Sequence, residues 1–416
     1  MSKEWIYRTN VYEVNVRQYT NEGTFTAFAL HLPRLKDMGV QTLWFMPITP
    51  IAQKGKKGSL GSPYACSDYT SINPEFGTLD DFKNLVYEAH EMGFKVIIDW
   101  VANHTGWDHV WTKEHPDYYK KDETTGDFKI ASGMDDIIEL DYSNREMRKA
   151  MIAAMQFWID ECCIDGFRCD LAFWVQLDFW IEAKEVLEKT KPLFWLGELD
   201  SLEKPEYMQV FDAAYTWTWM HQTEKWYREN LSLYHLKNIL DRYHSAPGIK
   251  AWFTSNHDEN TWNGTEYEKY NDAAKALAVF SCTWPGIPLI YNGQELPNHK
   301  RLAFFEKDPI EWKEYCELHQ FYKALLQLRS SHPALGSNAE VFALSTNNDE
   351  NVLAYRRKIA AYELIVLLNL SKAQTSLRIV GHTAAVNYEN ILINEKIDIS
   401  KELVLSPWDY LVLTKS

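Results

Sequence analysis

The stretch Val40-Gln-Thr-Leu-Trp-Phe-Met-Pro-Ile48 is a mostly apolar run, as expected of a strand that is buried on both faces. Apolar residues at helical spacing precede it between Phe28 and Met38. Thr78 and Asp81 resemble a capping box, which predicts the start of the next helix. A third apolar run, Lys95 to Val101 (KVIIDWV), predicts another strand. Strand and helix patterns therefore alternate outward from the first quoted run.

This alternation continues to about residue 330. Further strands are predicted at 166–172, 193–199, 211–217, 250–256 and 286–292, with helical patterns near 176–190, 205–208, 220–243, 270–283 and 311–330. Together with a first strand at 11–19, eight strands and about eight helices predict a (β/α)8 barrel, an α/β fold. A doubly wound open sheet is the alternative, but no glycine-rich phosphate loop follows the first strand.

Two segments depart from the alternation and predict the domain organisation. Residues 105–142 are polar and rich in Asp, Lys, Thr and Gly, which predicts a short inserted domain B after the third strand. Ser143 and Glu146 form a second predicted capping box, where helical order resumes. Short β-rich segments divided by turn residues predict a C-terminal β-sandwich domain at 336–416. The catalytic barrel is therefore predicted to comprise 1–104 and 143–335.

Composition narrows the classes of partner. The net charge of −15 repels a polyanion, so nucleic-acid binding is disfavoured. The 17 Trp and 23 Tyr side chains can stack on sugar rings, which favours a carbohydrate, although most of them are expected simply to fill the core. No run of 18 apolar residues predicts a membrane span. The six cysteines form no CxxC pair and the first residues lack an apolar leader pattern, which predicts a reducing cytoplasm. The oligomeric state is left open.

Polar side chains gather where four of the predicted strands end. They are Asp99, Asn103 and His104 at the third strand, Arg168 and Asp170 at the fourth, Glu198 at the fifth, and His257 and Asp258 at the seventh. In a barrel, the carboxyl ends of the strands line one mouth, so these groups are expected to lie together. A salt bridge or a cap would explain any one of them, but not the whole set. The three lone acids, Asp170, Glu198 and Asp258, therefore predict an active site.

These segments resemble the four signature regions of the α-amylase family of glycoside hydrolases. They read DWVANH at 99–104, GFRCD at 166–170, Glu198, and NHD at 256–258, in the family's order and on its strands three, four, five and seven. GIPLIYNGQE at 286–295 adds to the resemblance, which covers almost the whole chain. The resemblance implies an enzyme, a retaining glycosidase that cleaves α-glucosidic bonds, above all α-1,4 bonds, in maltooligosaccharides or starch-like glucans.

The resemblance also implies roles for individual residues. Asp170 would be the nucleophile, Glu198 the acid and then the base, and Asp258 the group that stabilises the transition state, as two carboxyl groups are needed for retention. Arg168 would hold Asp170 ionised, His104 and His257 would donate hydrogen bonds to sugar hydroxyls, and Tyr64 would stack beneath the sugar at the cleavage point. Trp174 and Trp262 lie just past strand ends and would stack on neighbouring sugars, with plain packing as the alternative.

Three expectations stay open at this point. The chemistry itself requires no cofactor, but Asn103 matches a position that binds calcium in many family members, with Asp135, Asp136 and Asp141 available in the short insertion. Phe173 and Trp174 stand where the family often has a polar pair, which leaves the leaving-group specificity unsettled. A transglycosylase would use the same residues, and a non-catalytic glucan-binding protein is the third alternative.

Overall fold

The computed structural model describes residues 3–381 and 387–415. Eight parallel strands form a closed barrel: β1 Val11–Val14, β2 Thr42–Phe45, β3 Lys95–Trp100, β4 Gly166–Cys169, β5 Phe194–Asp200, β6 Ala213–Tyr215, β7 Ile249–Trp252 and β8 Ile287–Tyr291. Neighbours around the barrel follow the chain order, and β8 pairs with β1 to close it. The predicted barrel is confirmed, and the open-sheet alternative is wrong.

The helices alternate with these strands. They are α1 Val16–Tyr19, α2 Phe25–Ala29, α3 Leu32–Met38, α4 Leu79–Glu91, α5 Val110–Glu114, α6 Arg145–Cys162, α7 Leu177–Leu187, α8 Trp217–Glu229, α9 Leu233–Ser245, α10 Glu266–Tyr270, α11 Ala274–Thr283 and α12 His319–Ser331. No helix in the described part of the chain is long and apolar enough to cross a membrane. All six cysteines are free thiols, and the cytoplasmic location stays a prediction.

Local chemistry explains where the predicted elements were wrong. The first strand stops at Val14, because the following residues form helix α1. The single helix predicted at 220–243 is two helices, since Asn230 takes a left-handed conformation (φ 54°) and ends α8. The capping box at Thr78 and Asp81 is confirmed, whereas α6 is capped by the Asn144 side chain instead of Ser143.

Period-two alternation in the strands decides which side chains face the barrel interior. Trp44 on β2 and Ile97 on β3 belong to the apolar cluster inside the barrel, while Leu43 and Ile98 pack outward against the helices. Asp99 is two residues beyond Ile97, so it points inward as well. The same alternation places an arginine of β4 inside the barrel, where a charged group needs partners.

The C-terminal residues form a β-rich unit, as predicted. Its strands are β9 Glu340–Ala343, β10 Val352–Ile359, β11 Tyr362–Asn369, β12 Thr375–Leu377, β13 Asn387–Asn390, β14 Glu395–Asp398, β15 Leu403–Leu405 and β16 Tyr410–Lys415. Six of them make one sheet in the order β9-β10-β11-β16-β13-β14, and β12 pairs with β15.

The C-terminal sheet and the barrel are joined by apolar and polar contacts. Tyr355, Leu364 and Val366 belong to the same apolar core as the barrel helices. Arg357 Nη1 donates to the carbonyl of Thr283 at 2.5 Å.

In the inserted segment, His104–Gly106 pairs antiparallel with Ile137–Glu139. The domain boundaries themselves stay predictions, and residues 1–2, 382–386 and 416 of the predicted domains lie outside the described residues.

Candidate active site

A cleft of about 520 Å³ opens at the mouth of the barrel. Seven of the predicted site residues line it, namely Tyr64, His104, Asp170, Trp174, Glu198, Asp258 and Trp262. Arg168 and His257 are buried and contact these lining residues. The cleft also contains residues that the sequence analysis had not assigned to substrate: Lys57, Ser62, Met134, Asp136, Ile137, Leu171, Phe304 and Phe305.

Arg168 is the buried cation of the site. Its Nη1 donates to Oδ1 of Asp99 at 2.9 Å and to Oδ1 of Asp170 at 3.0 Å. Its Nη2 lies 3.0 Å from Oε2 of Glu198, but the N–H is not aimed at that oxygen, so the contact is an ion pair without a hydrogen bond. The guanidinium also lies over the Trp44 ring. Because a buried cation needs compensation, these three carboxylates fix its position, and it fixes theirs.

Asp170 follows β4 directly and is held from two sides. Its backbone N–H donates to the carbonyl of Trp100 at 3.0 Å, and its carboxylate accepts from Arg168. Burial raises the pKa of both Asp170 and Asp99, and Arg168 opposes this rise. The arginine therefore favours the ionised form that a nucleophile requires.

Glu198 lies in surroundings that favour its protonated form. Burial, Asp170 and Asp258 together outweigh Arg168 and raise the pKa of Glu198 to about 7. A carboxyl group with this pKa can be protonated near neutral pH, as a general acid must be. Its Oε2 accepts a hydrogen bond at 2.8 Å from the backbone N–H of Leu171. Leu171 adopts a left-handed conformation (φ 41°), a strained backbone that aims this N–H at the acid.

His257 and Asp258 lie between Tyr64 and the end of β7. His257 Nε2 is 2.8 Å from the Tyr64 hydroxyl and 3.3 Å from Oδ2 of Asp258. The Tyr64 ring stacks on the His257 ring with centroids 5.4 Å apart. Asp258 is the most open of the three acids, with 37% of its side chain exposed. It can therefore contact a sugar in the cleft directly.

His104 presents an unused hydrogen-bonding group. The side chain is buried and lines the cleft, and its Nε2 has no partner among the described residues. Burial lowers the pKa of His104 to about 4, so the ring is neutral at neutral pH. An unpaired polar atom is costly to bury unless a ligand satisfies it. A hydroxyl of a bound sugar would do so.

Exposed aromatic side chains line the cleft. Trp174 is 38% exposed and Trp262 is 52% exposed, so each offers surface to a ligand. Trp262 packs beside Phe304 and Phe305, with ring centroids 5.4 and 5.9 Å apart. Sequence reasoning missed these two phenylalanines, although an adjacent Phe pair in the polar stretch after β8 could have signalled them.

The groups expected to bind calcium around Asn103 make other contacts in this structure. Asn103 Nδ2 is bonded to His104 Nδ1, and Asp141 Oδ1 accepts the backbone N–H of Ser143. Asp135 and Asp136 both bind the ammonium of Lys57, at 3.1 and 2.8 Å. Within residues 3–381 and 387–415, no three His, Cys, Asp or Glu side chains are grouped so as to hold a metal.

Comparison with known proteins agrees with this geometry. The family model described as "Alpha amylase, catalytic domain" matches residues 8–131 and 116–315. The chain is 24% identical to alpha-amylase 2 of Dictyoglomus thermophilum over 89% of its own length and 68% of that protein. Among solved structures, a noncanonic maltogenic alpha-amylase from Thermotoga neapolitana has a TM-score of 0.90 at 30% identity, covering 99% of both chains. An alpha-amylase from Lactobacillus plantarum has a TM-score of 0.90 at 28% identity, covering 100% of both. Because the family model spans all eight barrel strands and more than half of the chain, the chain belongs to the α-amylase family and is a glycosidase of that family.

Proposed function

We propose that this glycosidase cleaves α-1,4-glucosidic bonds in maltooligosaccharides or starch-like glucans, with retention of configuration through a covalent glycosyl-enzyme. One observation carries the stereochemistry: Asp170 and Glu198 both bind the guanidinium of Arg168. The backbone N–H of Leu171, the residue after Asp170, also donates to Glu198 at 2.8 Å, so the two carboxyl groups are held side by side. This arrangement favours the retaining spacing of about 5–5.5 Å over the inverting spacing of about 6.5–9.5 Å.

The first step uses the two acids in different protonation states. Ionised Asp170 attacks the anomeric carbon of the bound glucose, and the bond from that carbon to the glycosidic oxygen breaks. Protonated Glu198 gives its proton to this oxygen, so the leaving sugar departs as a neutral alcohol. The pKa of Glu198, raised to about 7 by burial first of all, suits this donation.

The second step reverses the proton flow. Glu198, now a carboxylate, removes a proton from water, whose oxygen attacks the anomeric carbon and releases Asp170. Asp258 stabilises the positive charge that develops on the sugar ring in both transition states. The unpaired His104 Nε2 forms a hydrogen bond with a hydroxyl of the same sugar.

The substrate class is supported by the names of the relatives. Matching proteins include alpha-amylases, a maltogenic alpha-amylase and a cyclomaltodextrinase, which share α-glucans as substrates by name. The exposed Trp174 and Trp262 rings that line the cleft suit stacking on glucose units. Maltooligosaccharides therefore fit the cleft better than a lone monosaccharide.

Proton NMR of fresh maltoheptaose digests tests the stereochemistry and the linkage together. We expect the new reducing ends to appear first as the α-anomer and to equilibrate to the β-anomer only later. Isomaltose, with its α-1,6 bond, serves as the matched substrate and is expected to stay intact. Initial release of the β-anomer would contradict retention, and faster cleavage of isomaltose would contradict the α-1,4 assignment.

The second candidate function is transglycosylation, in which a second sugar replaces water as the acceptor, and the position of Trp174 favours it. This ring lines the cleft on the side of Leu171, whose N–H binds Glu198, the residue that faces the leaving group. An apolar platform there can hold a sugar acceptor against the glycosyl-enzyme in place of water. Products longer than the substrate in dilute maltotriose would establish transfer, whereas glucose and maltose alone would establish hydrolysis.

We also propose that lysines take the place of a calcium ion in the inserted segment. Lys57 binds both Asp135 and Asp136, and Lys120 and Lys129 both bind Glu139, at 2.5 and 2.9 Å. Their ammonium groups hold together carboxylates that would otherwise repel each other or bind a cation.

Chelation is therefore expected to leave the enzyme unchanged. Excess EDTA should alter neither Tm nor activity, and Lys57→Met should lower Tm by about 1–3 °C because one partly exposed ion-pair network is lost. Lys113→Met, at an exposed lysine of the same segment, is the control and should leave Tm unchanged. A Tm of the wild-type protein that falls with EDTA and recovers with calcium would overturn the proposal.

A further inference from the structure

The hydrogen bonds around His257 determine how many protons its ring carries. Tyr64 has a single hydroxyl proton, which it donates to Oδ2 of Asp99 at 3.0 Å. Asp99 is paired with Arg168 and, as a carboxylate, has no proton to return. The Tyr64 oxygen must therefore accept from Nε2 of His257, which lies 2.8 Å away. This contact places a proton on Nε2.

The second ring nitrogen faces a carboxylate on the opposite side. Nδ1 of His257 lies 2.5 Å from Oε1 of Glu13, and the same oxygen lies 3.4 Å from the backbone N–H of His257. Glu13 is fully buried on β1, and its Oε2 has no partner among the described residues. A buried carboxylate whose only side-chain partner is an imidazole is stabilised best when that imidazole is charged.

We propose that His257, beneath the cleft, is an imidazolium at neutral pH and that Glu13 is the positioning residue that maintains this charge. The effect of this charge on catalysis rests on the proposed function, but the charge on the His257 ring does not. As an imidazolium, His257 donates to Glu13 and to Tyr64 at once, with the Asp258 carboxylate beside it. It therefore holds Tyr64, which is expected to stack beneath the sugar, and Asp258, which is expected to stabilise the transition state, in fixed positions relative to each other.

Carboxylates outnumber cations among the groups that face His257. They are Glu13 from β1, Tyr64 from the loop after β2, Asp99 from β3, Arg168 from β4, and Asp258 next to it in the chain. Burial and Arg168 oppose the charge, but Asp258 and Glu13 outweigh them and raise the pKa of His257 to about 9. Burial also raises the pKa of Glu13, and His257 opposes that rise. The shared proton stays on the ring because Asp258 supplies a second negative charge.

The charge state can be observed without any substrate. Protein labelled with ¹⁵N-histidine should show both His257 nitrogens protonated at about pH 7, with the signal assigned by its loss in His257→Gln. A wild-type ring with one unprotonated nitrogen at this pH would overturn the proposal, whether or not the protein is active. Absence of activity on every α-glucan would instead sink the proposed function and leave this result standing.

Glu13→Gln tests the role of the carboxylate. The amide oxygen still accepts from Nδ1 but carries no charge, so the pKa of His257 should fall and the second proton should be lost at lower pH. We expect kcat/KM to fall about 10²-fold at about pH 8, mostly through KM, and to recover to within about tenfold of wild type at about pH 6.

Asp37→Asn is the matched control, because it removes an exposed carboxylate from His319 far from the cleft. Its kcat/KM should equal that of the wild type at both pH values. A loss in Glu13→Gln that is the same at both pH values would show that Glu13 acts only in packing, and it would contradict the proposal.

Discussion

Asp170→Asn is expected to retain less than roughly one part in 10⁴ of the wild-type turnover on maltooligosaccharides, the scale on which other hydrolases lose activity without their nucleophile. The reason is that an amide cannot form the glycosyl-enzyme with the anomeric carbon. The fold should survive, because Asn fills the same space and Arg168 keeps Asp99 and Glu198 as partners. Steady-state kinetics and a Tm measurement check both expectations.

Asp178→Asn is the control for this substitution. Asp178 is an exposed acid in the first turn of α7 that pairs with Arg148, and its loss should leave turnover unchanged. Activity of Asp170→Asn within tenfold of wild type, in a folded protein, would contradict the assignment of the nucleophile. A lost fold would be visible as a lost thermal transition and could not be mistaken for lost chemistry.

Glu198→Gln is expected to lose about 10³-fold or more in turnover on maltooligosaccharides, because proton transfer to the leaving oxygen is removed. The loss should depend on the leaving group. A maltosyl fluoride needs no proton donor, so the covalent intermediate should still form on it, and added azide should then release a maltosyl azide. Glu182→Gln, at a partly exposed glutamate of α7, is the control.

The pH profile gives an independent check on the same residue. Glu198 acts first as an acid, so wild-type kcat/KM should decline as pH rises through its pKa of about 7. Asp170 must be ionised, so the decline toward acid pH should begin nearer neutrality than for an ordinary aspartate, since burial raises its pKa. With maltosyl fluoride as substrate, kcat/KM of Glu198→Gln should no longer decline as the pH rises through about 7. If the decline persisted, a group other than Glu198 would cause it.

Much of the site was predictable because its residues interrupt strong patterns. Asp99, Asp170 and Glu198 break apolar runs at strand ends, and barrel geometry gathers strand ends at one mouth. Glu13 breaks the run VYEV in the same way, yet its strand is short and its partner His257 is more than 240 positions away in the chain. The pairing of these two residues could not be derived from local sequence.

The loops were less predictable for a physical reason. Phe304 and Phe305 lie in a segment without regular structure, where no periodicity indicates which way a side chain points. The expectation for Asn103 rested on its match to a calcium-binding position of the family, with acids of the insertion as available partners. The structure pairs two of those acids, Asp135 and Asp136, with Lys57, which comes from a different loop. Which side chains of different loops meet depends on how the closed barrel brings the loops together. Such pairs can therefore be identified only from the tertiary structure.

The barrel and the C-terminal sheet share one apolar core, which couples their stabilities. Helix α11 contributes Thr283, whose hydroxyl bonds Tyr355 at 2.6 Å and whose carbonyl accepts from Arg357. Loss of the sheet would expose this helix face and leave that carbonyl without its guanidinium partner. Since α11 immediately precedes β8, the strand that closes the barrel, melting of the sheet would propagate to the ring of strands that holds the catalytic acids. We therefore expect the C-terminal unit and the barrel to unfold together, and a chain shortened to the barrel to be less stable and less active than the full chain.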